Sequence, residues 1–142
     1  MSDEEIMTSV ELEIILKAGK ILLSSGAEIS RTEDTMNYIA RAMNFKDLEA
    51  YVSNRGIFAT AKKADGTEIT RIYNVPEVDI NLNKIESVNA LSRRITEKSI
   101  TIEEFINELE KIDTMPDYSN FWRLIAYTLG ASGFSYAIGS SI

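Results

Sequence analysis

The sequence predicts an α+β fold: a helical hairpin, a three-stranded antiparallel meander, two further helices and a C-terminal apolar, membrane-spanning helix. Apolar residues recur at helical spacing before residue 45 and again after Pro76. Between these regions lie three short runs rich in β-branched and aromatic residues. The last nineteen residues, 124–142, carry no charged side chain. We therefore expect a soluble domain at residues 1–116 and the truncated start of a transmembrane region at 117–142.

The helical hairpin is predicted from two amphipathic segments joined by a short turn. The first covers residues 8–25, with an apolar face of Leu12, Ile15, Leu16, Gly19, Leu22 and Leu23. Gly26 follows where a left-handed C-terminal cap is expected. Ser30 and Glu33 have the spacing of a capping box, which predicts the start of the second helix. A turn this short favours antiparallel packing of the two helices.

The meander is predicted over residues 48–53, 57–62 and 67–75, where β-branched and aromatic residues are frequent. Asp65-Gly66 is a strong hairpin signal between the second and third strands. Residues 54–56 join the first two strands in the same way. Consecutive strands joined by short turns give an antiparallel sheet.

Two more helices follow, the first marked by the spacing of Leu82, Ile85, Val88, Leu91 and Ile95. Asp79, Asn81 and Asn83 are spaced like the start of a calcium loop, but Lys84 and Ala90 replace the Gly and Glu that such a loop needs. We therefore predict no metal site and expect Asn81 or Asn83 to cap this helix. Thr101 and Glu104 form a second capping-box pattern, which starts the last helix before Pro116.

The uncharged C-terminal run would rise roughly 28 Å as a helix, close to the thickness of a bilayer's hydrocarbon core. Small residues recur in it four apart, as in helices that pack closely in lipid: Ala126 and Gly130, Ala131 and Ser135, Gly133 and Ala137. Aromatic residues and Arg123 precede the run, as at a membrane–water interface. The alternative is a buried C-terminal helix of a soluble domain.

The composition excludes several classes of function. The chain has no Cys and no His, which removes disulfides, thiolate metal sites and Ser-His-Asp catalysis. With 22 acidic and 15 basic residues, the chain has a net negative charge, which does not favour binding to the phosphates of nucleic acid. Its acidic N-terminus is not a signal peptide, so we expect residues 1–120 to stay on the cytoplasmic side. We predict no cofactor; enzymatic chemistry would need carboxylates alone.

Four polar residues are the candidate substrate-binding residues: Glu28, Arg31, Glu33 and Arg71. Glu28 and Arg31 are three apart, so they can share a helix face, and Arg31 can hold a carboxylate with two hydrogen bonds. If Arg71 on the third strand faces the hairpin turn, it can pair with Glu28 or Glu33. The alternative is structural: a turn, a helix start favoured by acidic residues, and an arginine on a solvated strand face.

The order of these features resembles the threonine/serine exporter family, which includes two-component relatives linked to dicarboxylate export. The resemblance covers about residues 12–138. It rests on Ala18-Gly19 through Leu22-Leu23, Ser25-Gly26-Ala27-Glu28, Arg31-Thr32-Glu33, Ile69-Thr70-Arg71, Asn81-Leu82, the stretch from Leu109 to Pro116, Tyr118 and the small-residue run.

The resemblance implies a cytoplasmic domain ahead of a membrane bundle that exports small hydrophilic metabolites from the cell. Its implied partners are the membrane, further transmembrane segments or a partner membrane subunit, a second copy of the chain, and a small amino acid or carboxylate. Two alternatives remain open: an oligomerisation or regulatory module that touches no substrate, and a carboxylate-based hydrolase-like domain.

Overall fold

A computed structural model describes residues 3–115, and the predicted α+β fold with an antiparallel sheet is confirmed within them. The elements are α1 (Asp3–Ser24), α2 (Ile29–Ala42), β1 (Phe45–Val52), β2 (Gly56–Lys63), β3 (Glu68–Asn74), α3 (Leu82–Thr96) and α4 (Ile102–Asp113). No helix in this part of the chain combines the length and apolarity needed to cross a membrane. The predicted C-terminal apolar helix lies outside the described residues.

Helix α1 is the centre of the fold and packs against α2, α3, α4, β2 and β3. It starts at Asp3 instead of residue 8, because Asp3, Glu4 and Glu5 favour the positive end of the helix dipole. Gly19, which has no side chain, lets α1 pack closely against Met36 and Ile57. A Cβ at that position would lie 2.6 Å from Met36 Sδ on α2 and 2.9 Å from Ile57 Cδ1 on β2.

The turn between α1 and α2 confirms the predicted cap at Gly26, which has a φ of +94°. Gly26 N–H donates to Leu23 O at 3.1 Å and Ala27 N–H donates to Leu22 O at 3.0 Å, the bonds of a Schellman motif. The capping box predicted at Ser30 is wrong. The chain is already extended at Glu28, the residue before α2, so Ser30 falls inside the first helical turn.

The sheet has the order β1-β2-β3, with both pairs antiparallel. Strand β1 begins at Phe45 rather than at residue 48, because a bulge between Phe45 and Asp47 interrupts the alternation of inward and outward side chains. The predicted Asp65-Gly66 turn is confirmed: Gly66 has a φ of +94°, and Asp65 Oδ1 accepts from Thr67 N–H at 2.9 Å.

The inner face of the sheet contributes Ile57, Ala59 and Ala61 to the core, against α1. On the outer face, Tyr51 pairs with Phe58 and Phe58 pairs with Ile72, and all three side chains are exposed. The outer face thus carries an apolar row that crosses every strand.

Helices α3 and α4 start at the predicted caps. Asn81 Oδ1 accepts from Lys84 N–H at 3.1 Å, and Thr101 Oγ1 accepts from Glu104 N–H at 3.1 Å. The segment before α3 also covers the end of α1. Asp79 N–H donates to Ser24 O at 2.8 Å and Asn81 N–H donates to Ser25 O at 2.9 Å, satisfying carbonyls that a helix end leaves free.

Candidate functional site

A cleft of about 190 Å³ lies where the α1–α2 turn and the start of α2 meet α3. The Gly26 turn directs the chain into α2 immediately after the end of α1, so Glu28 and Arg31 come to the same opening. Its lining residues are Leu22, Ala27, Glu28, Arg31, Thr32, Ile85 and Asn89. The cleft therefore combines an acid, a base and an amide with an apolar wall.

The backbone carbonyls of Glu28 and Arg31 accept hydrogen bonds within α2, and these bonds do not involve the charged side-chain groups. The Glu28 carbonyl accepts from Thr32 N–H at 3.0 Å and from Thr32 Oγ1 at 2.9 Å, and the Arg31 carbonyl accepts from Thr35 Oγ1 at 3.0 Å. Among residues 3–115, no ion pair involves the carboxylate of Glu28 or the guanidinium of Arg31. Within the described residues, neither group would have to break a salt bridge in order to contact a ligand.

Asn89 on α3 forms the opposite side of the cleft. The Thr35 hydroxyl shares its one hydrogen between the Arg31 carbonyl at 3.0 Å and Asn89 Oδ1 at 3.3 Å. Within the described residues the Asn89 amide nitrogen donates to no acceptor. The sequence analysis did not single out Asn89. Its signal is its position four residues after Ile85, which places a polar side chain beside the apolar face of α3.

The other two predicted binding residues lie elsewhere. Glu33 does not line the cleft; it is half-buried, and its carbonyl accepts from Asn37 Nδ2 at 3.0 Å. Arg71 donates from Nη2 to Ser9 Oγ at 2.8 Å and from Nη1 to Thr70 O at 3.0 Å. The pairing of Arg71 with Glu28 or Glu33 is absent from this part of the chain, because the side chain of Arg71 reaches α1 instead.

A second cavity, of about 290 Å³, continues along the groove between α2 and α3. It shares Arg31 and Asn89 with the first cleft and adds a second arginine. Its lining residues are Arg31, Asp34, Thr35, Tyr38, Asn89, Ser92 and Arg93. The groove therefore contains two arginines, Arg31 and Arg93, together with the acidic Asp34.

A third cavity, of about 340 Å³, lies between the end of α1, the segment before α3 and the end of α4. Its two lysines already have partners: Lys84 Nζ donates to Asp113 O at 3.2 Å, and Lys20 Nζ lies 5.4 Å from the centre of the Tyr73 ring. Across residues 3–115, no three acidic side chains are grouped so that they could hold a metal ion.

Residues 13–142 match a family model described as "ThrE: Putative threonine/serine exporter". No curated protein and no solved structure matches the chain. The matched range includes the second half of α1, every later element and the uncharged C-terminal run.

Proposed function

From the premise that this chain belongs to the threonine/serine exporter family, we propose that it is the cytoplasmic domain and first membrane segment of an exporter. The exported compound is threonine, serine or a similarly small hydrophilic metabolite. Residues 1–116 form the cytoplasmic domain, and residues 117–142 lead into the membrane. The support for this division is the charge distribution, since every Lys, Arg, Asp and Glu precedes residue 124.

The cleft at the start of α2 is the proposed binding site for the exported amino acid. One observation carries the proposal: Glu28 and Arg31 line the same cleft, and neither has an ion-pair partner in the described chain. An amino acid carries a carboxylate and an ammonium group on one carbon. Arg31 binds the carboxylate through two hydrogen bonds, and Glu28 binds the ammonium group.

The remaining lining residues suit a small side chain. Asn89 provides an amide that can donate to a hydroxyl or carboxylate oxygen, and Leu22 and Ile85 form an apolar wall beside it. Threonine presents a hydroxyl and a methyl group on the same carbon, which matches this pairing. Serine lacks the methyl group, so we expect it to bind about threefold to tenfold more weakly than threonine.

Calorimetric titration of the full chain with threonine, serine and succinate tests the site. Glu28→Gln and Arg31→Gln should each weaken threonine binding at least about tenfold, because each removes a charged hydrogen-bond partner. Glu33→Gln and Arg41→Gln are matched controls, since both residues lie on α2 but outside the cleft. Absence of heat with all three compounds, or equal losses in the controls, contradicts the proposal.

The exposed row of Tyr51, Phe58 and Ile72 favours a second candidate function, an assembly module that joins copies of the exporter. Three apolar side chains in register across a sheet can pack against the same row of a second copy. Sedimentation of the full chain in detergent should show a defined oligomer that Phe58→Ser disrupts. A monomer at every concentration rules this candidate out.

A further inference from the structure

The second cavity of the α2–α3 groove, of about 290 Å³, lies next to the proposed amino-acid site, and we call it the Tyr38 cavity. Along the two helices, the first cleft covers residues 28–32 and 85–89. The Tyr38 cavity covers residues 31–38 and 89–93. Helices α2 and α3 therefore run in the same direction along the groove, and the Tyr38 cavity lies about one helical turn beyond the first cleft.

The Tyr38 cavity has an excess of positive charge, although the chain as a whole is acidic. Two arginines, Arg31 and Arg93, line it with one acidic residue, Asp34, in a chain of net charge −7. All three residues are exposed, and within residues 3–115 neither guanidinium takes part in an ion pair. The first cleft has one residue of each sign, and the third cavity has two lysines and three acidic residues. The Tyr38 cavity is therefore the one of these three that suits an anion.

Three lining residues of α2 follow one another at intervals of about one helical turn: Arg31, Asp34 and Tyr38. Each carries a group that recognises one part of a nucleotide. A guanidinium binds a phosphate through paired hydrogen bonds, and a carboxylate accepts hydrogen bonds from ribose hydroxyls. Tyr38 is 50% exposed, so its ring is accessible for stacking on a base. The order of these residues along α2 is therefore the order phosphate, ribose, base.

Helix α3 adds matching groups on the opposite wall of the Tyr38 cavity. Asn89 lines both cavities together with Arg31, and its amide nitrogen donates to no acceptor among the described residues, so it can donate to a phosphate oxygen. Arg93 lies one turn further along α3, towards Tyr38, and a guanidinium can stack on a base. The volume of the cavity suits one small ligand.

We propose that the Tyr38 cavity binds a nucleoside monophosphate. Arg31 and Asn89 bind the phosphate, and Asp34 accepts from the ribose hydroxyls. Tyr38 and Arg93 stack on the base. An inorganic anion is a poorer ligand, because Asp34 repels it and nothing in it stacks on Tyr38. A strand of nucleic acid is also poorer, because the net charge of −7 repels successive phosphates. The inference does not depend on amino-acid binding in the first cleft.

Calorimetric titration of the full chain with AMP, GMP, CMP and UMP tests the proposal. The free nucleosides, ribose 5-phosphate and inorganic phosphate are the reference compounds, because each lacks at least one of the three parts. At least one nucleotide should bind about tenfold more tightly than every reference compound. The proposal is overturned when no nucleotide gives heat, or when every nucleotide binds no more tightly than a reference compound.

Two variants assign the two ends of the ligand. Arg31→Gln should remove most of the preference for the nucleotide over its nucleoside, because the phosphate loses its charged partner. Tyr38→Leu should reduce the affinity for the nucleotide towards that for ribose 5-phosphate, because the base loses a stacking partner. Arg41→Gln on α2 and Tyr51→Leu on β1 are the matched controls, since both residues are exposed and line neither cavity. Unchanged affinities in the two variants, or equal losses in the controls, overturn the proposal.

Threonine titration separates this inference from the proposed amino-acid site. Tyr38 does not line the first cleft, so Tyr38→Leu should leave the affinity for threonine unchanged. Nucleotide binding without threonine binding supports this inference and contradicts the amino-acid site. Threonine binding without nucleotide binding overturns this inference alone.

Discussion

Arg71 Nη2 donates to the hydroxyl of the buried Ser9 at 2.8 Å, which joins β3 to the first half of α1 across 62 residues of sequence. The same guanidinium donates from Nη1 to the carbonyl of Thr70. Both contacts are internal to the fold. Arg71 therefore acts as a brace between sheet and helix in this structure, whereas Glu28 and Arg31 face the cleft.

Replacing Arg71 by Gln should destabilise the fold and leave ligand binding intact. The loss in unfolding free energy should be about 1–2 kcal/mol, because a hydrogen bond from a charged donor to a buried hydroxyl is removed. Urea unfolding measures the loss, and threonine titration measures affinity. Arg55→Gln, in the exposed β1–β2 turn, should stay within about 0.5 kcal/mol of the parent. Weaker threonine binding without lost stability would instead make Arg71 a binding residue.

Gly26→Ala and Gly66→Ala form a matched pair, since both glycines have a φ of +94°. Each substitution should cost about 1 kcal/mol, because an L-residue is strained in that conformation. Gly26→Ala should cost more, since its Cβ meets Ile80 while nothing lies within 4 Å of a Cβ on Gly66. Thermal unfolding of both variants measures the difference, and equal losses would show that the Ile80 contact relaxes freely.

Thr101→Ala and Ser30→Ala test which capping pattern acts as a cap. Thr101 Oγ1 accepts from Glu104 N–H at the start of α4, so its removal should cost about 1 kcal/mol. Ser30 lies inside the first turn of α2 and provides no cap, so Ser30→Ala should be within about 0.5 kcal/mol of neutral. Denaturant midpoints compare the two, and a larger loss at Ser30 would contradict the observed start of α2.

Lys17 should stabilise the fold in a pH-dependent way. Its hydrogen bond to Glu110 raises its pKa above the ordinary lysine value, with further attraction from Glu110 and Asp113, while burial opposes the shift. Because the folded-state pKa is the higher one, this stabilisation is fully present below the unfolded pKa, about 10.4. It is lost as the pH rises through the folded value.

The Lys17 contribution is measured by comparing the parent chain with Lys17→Gln at several pH values. The pair is partly exposed, so the difference at neutral pH should be no more than about 1 kcal/mol. That difference should shrink as the pH passes the lysine range. Lys111→Gln, from the more exposed pair with Glu108, is the reference for losing a surface lysine. A Lys17 difference that grows with pH would reverse the assigned sign.

Local signals predicted the fold where the deciding interactions are themselves local. Gly26, Asp65-Gly66, Asn81 and Thr101 each act on backbone groups only a few residues away, and all four appear as predicted. Ser30 shows the limit of that method. The α1–α2 turn leaves Glu28 extended, so α2 begins at Ile29 and Ser30 cannot be its cap. The spacing of Ser30 and Glu33 does not show where the preceding turn ends.

The candidate site was only half predictable, because distant contacts decide which polar groups meet. Glu28 and Arg31 could be grouped from their spacing, since one helix start presents both. Arg71 is hydrogen-bonded to Ser9 because β3 packs on α1. Asn89 lines the cleft because α3 packs on α2. Spacing places Asn89 beside the apolar face of α3, but it does not tell which element packs there, and it does not indicate the partner of Arg71.

Arg31 and Asn89 line both cavities of the α2–α3 groove, so a ligand in either cavity would contact the same two side chains. If the cleft binds an amino acid as proposed, a compound beside Tyr38 that draws the Arg31 guanidinium toward itself would alter the affinity of the cleft for that amino acid. Thermodynamic reciprocity then requires the amino acid to change the affinity of that compound by the same factor. Should both ligands bind, the shared Arg31 would couple their affinities, so the concentration of one would set how much of the other is bound.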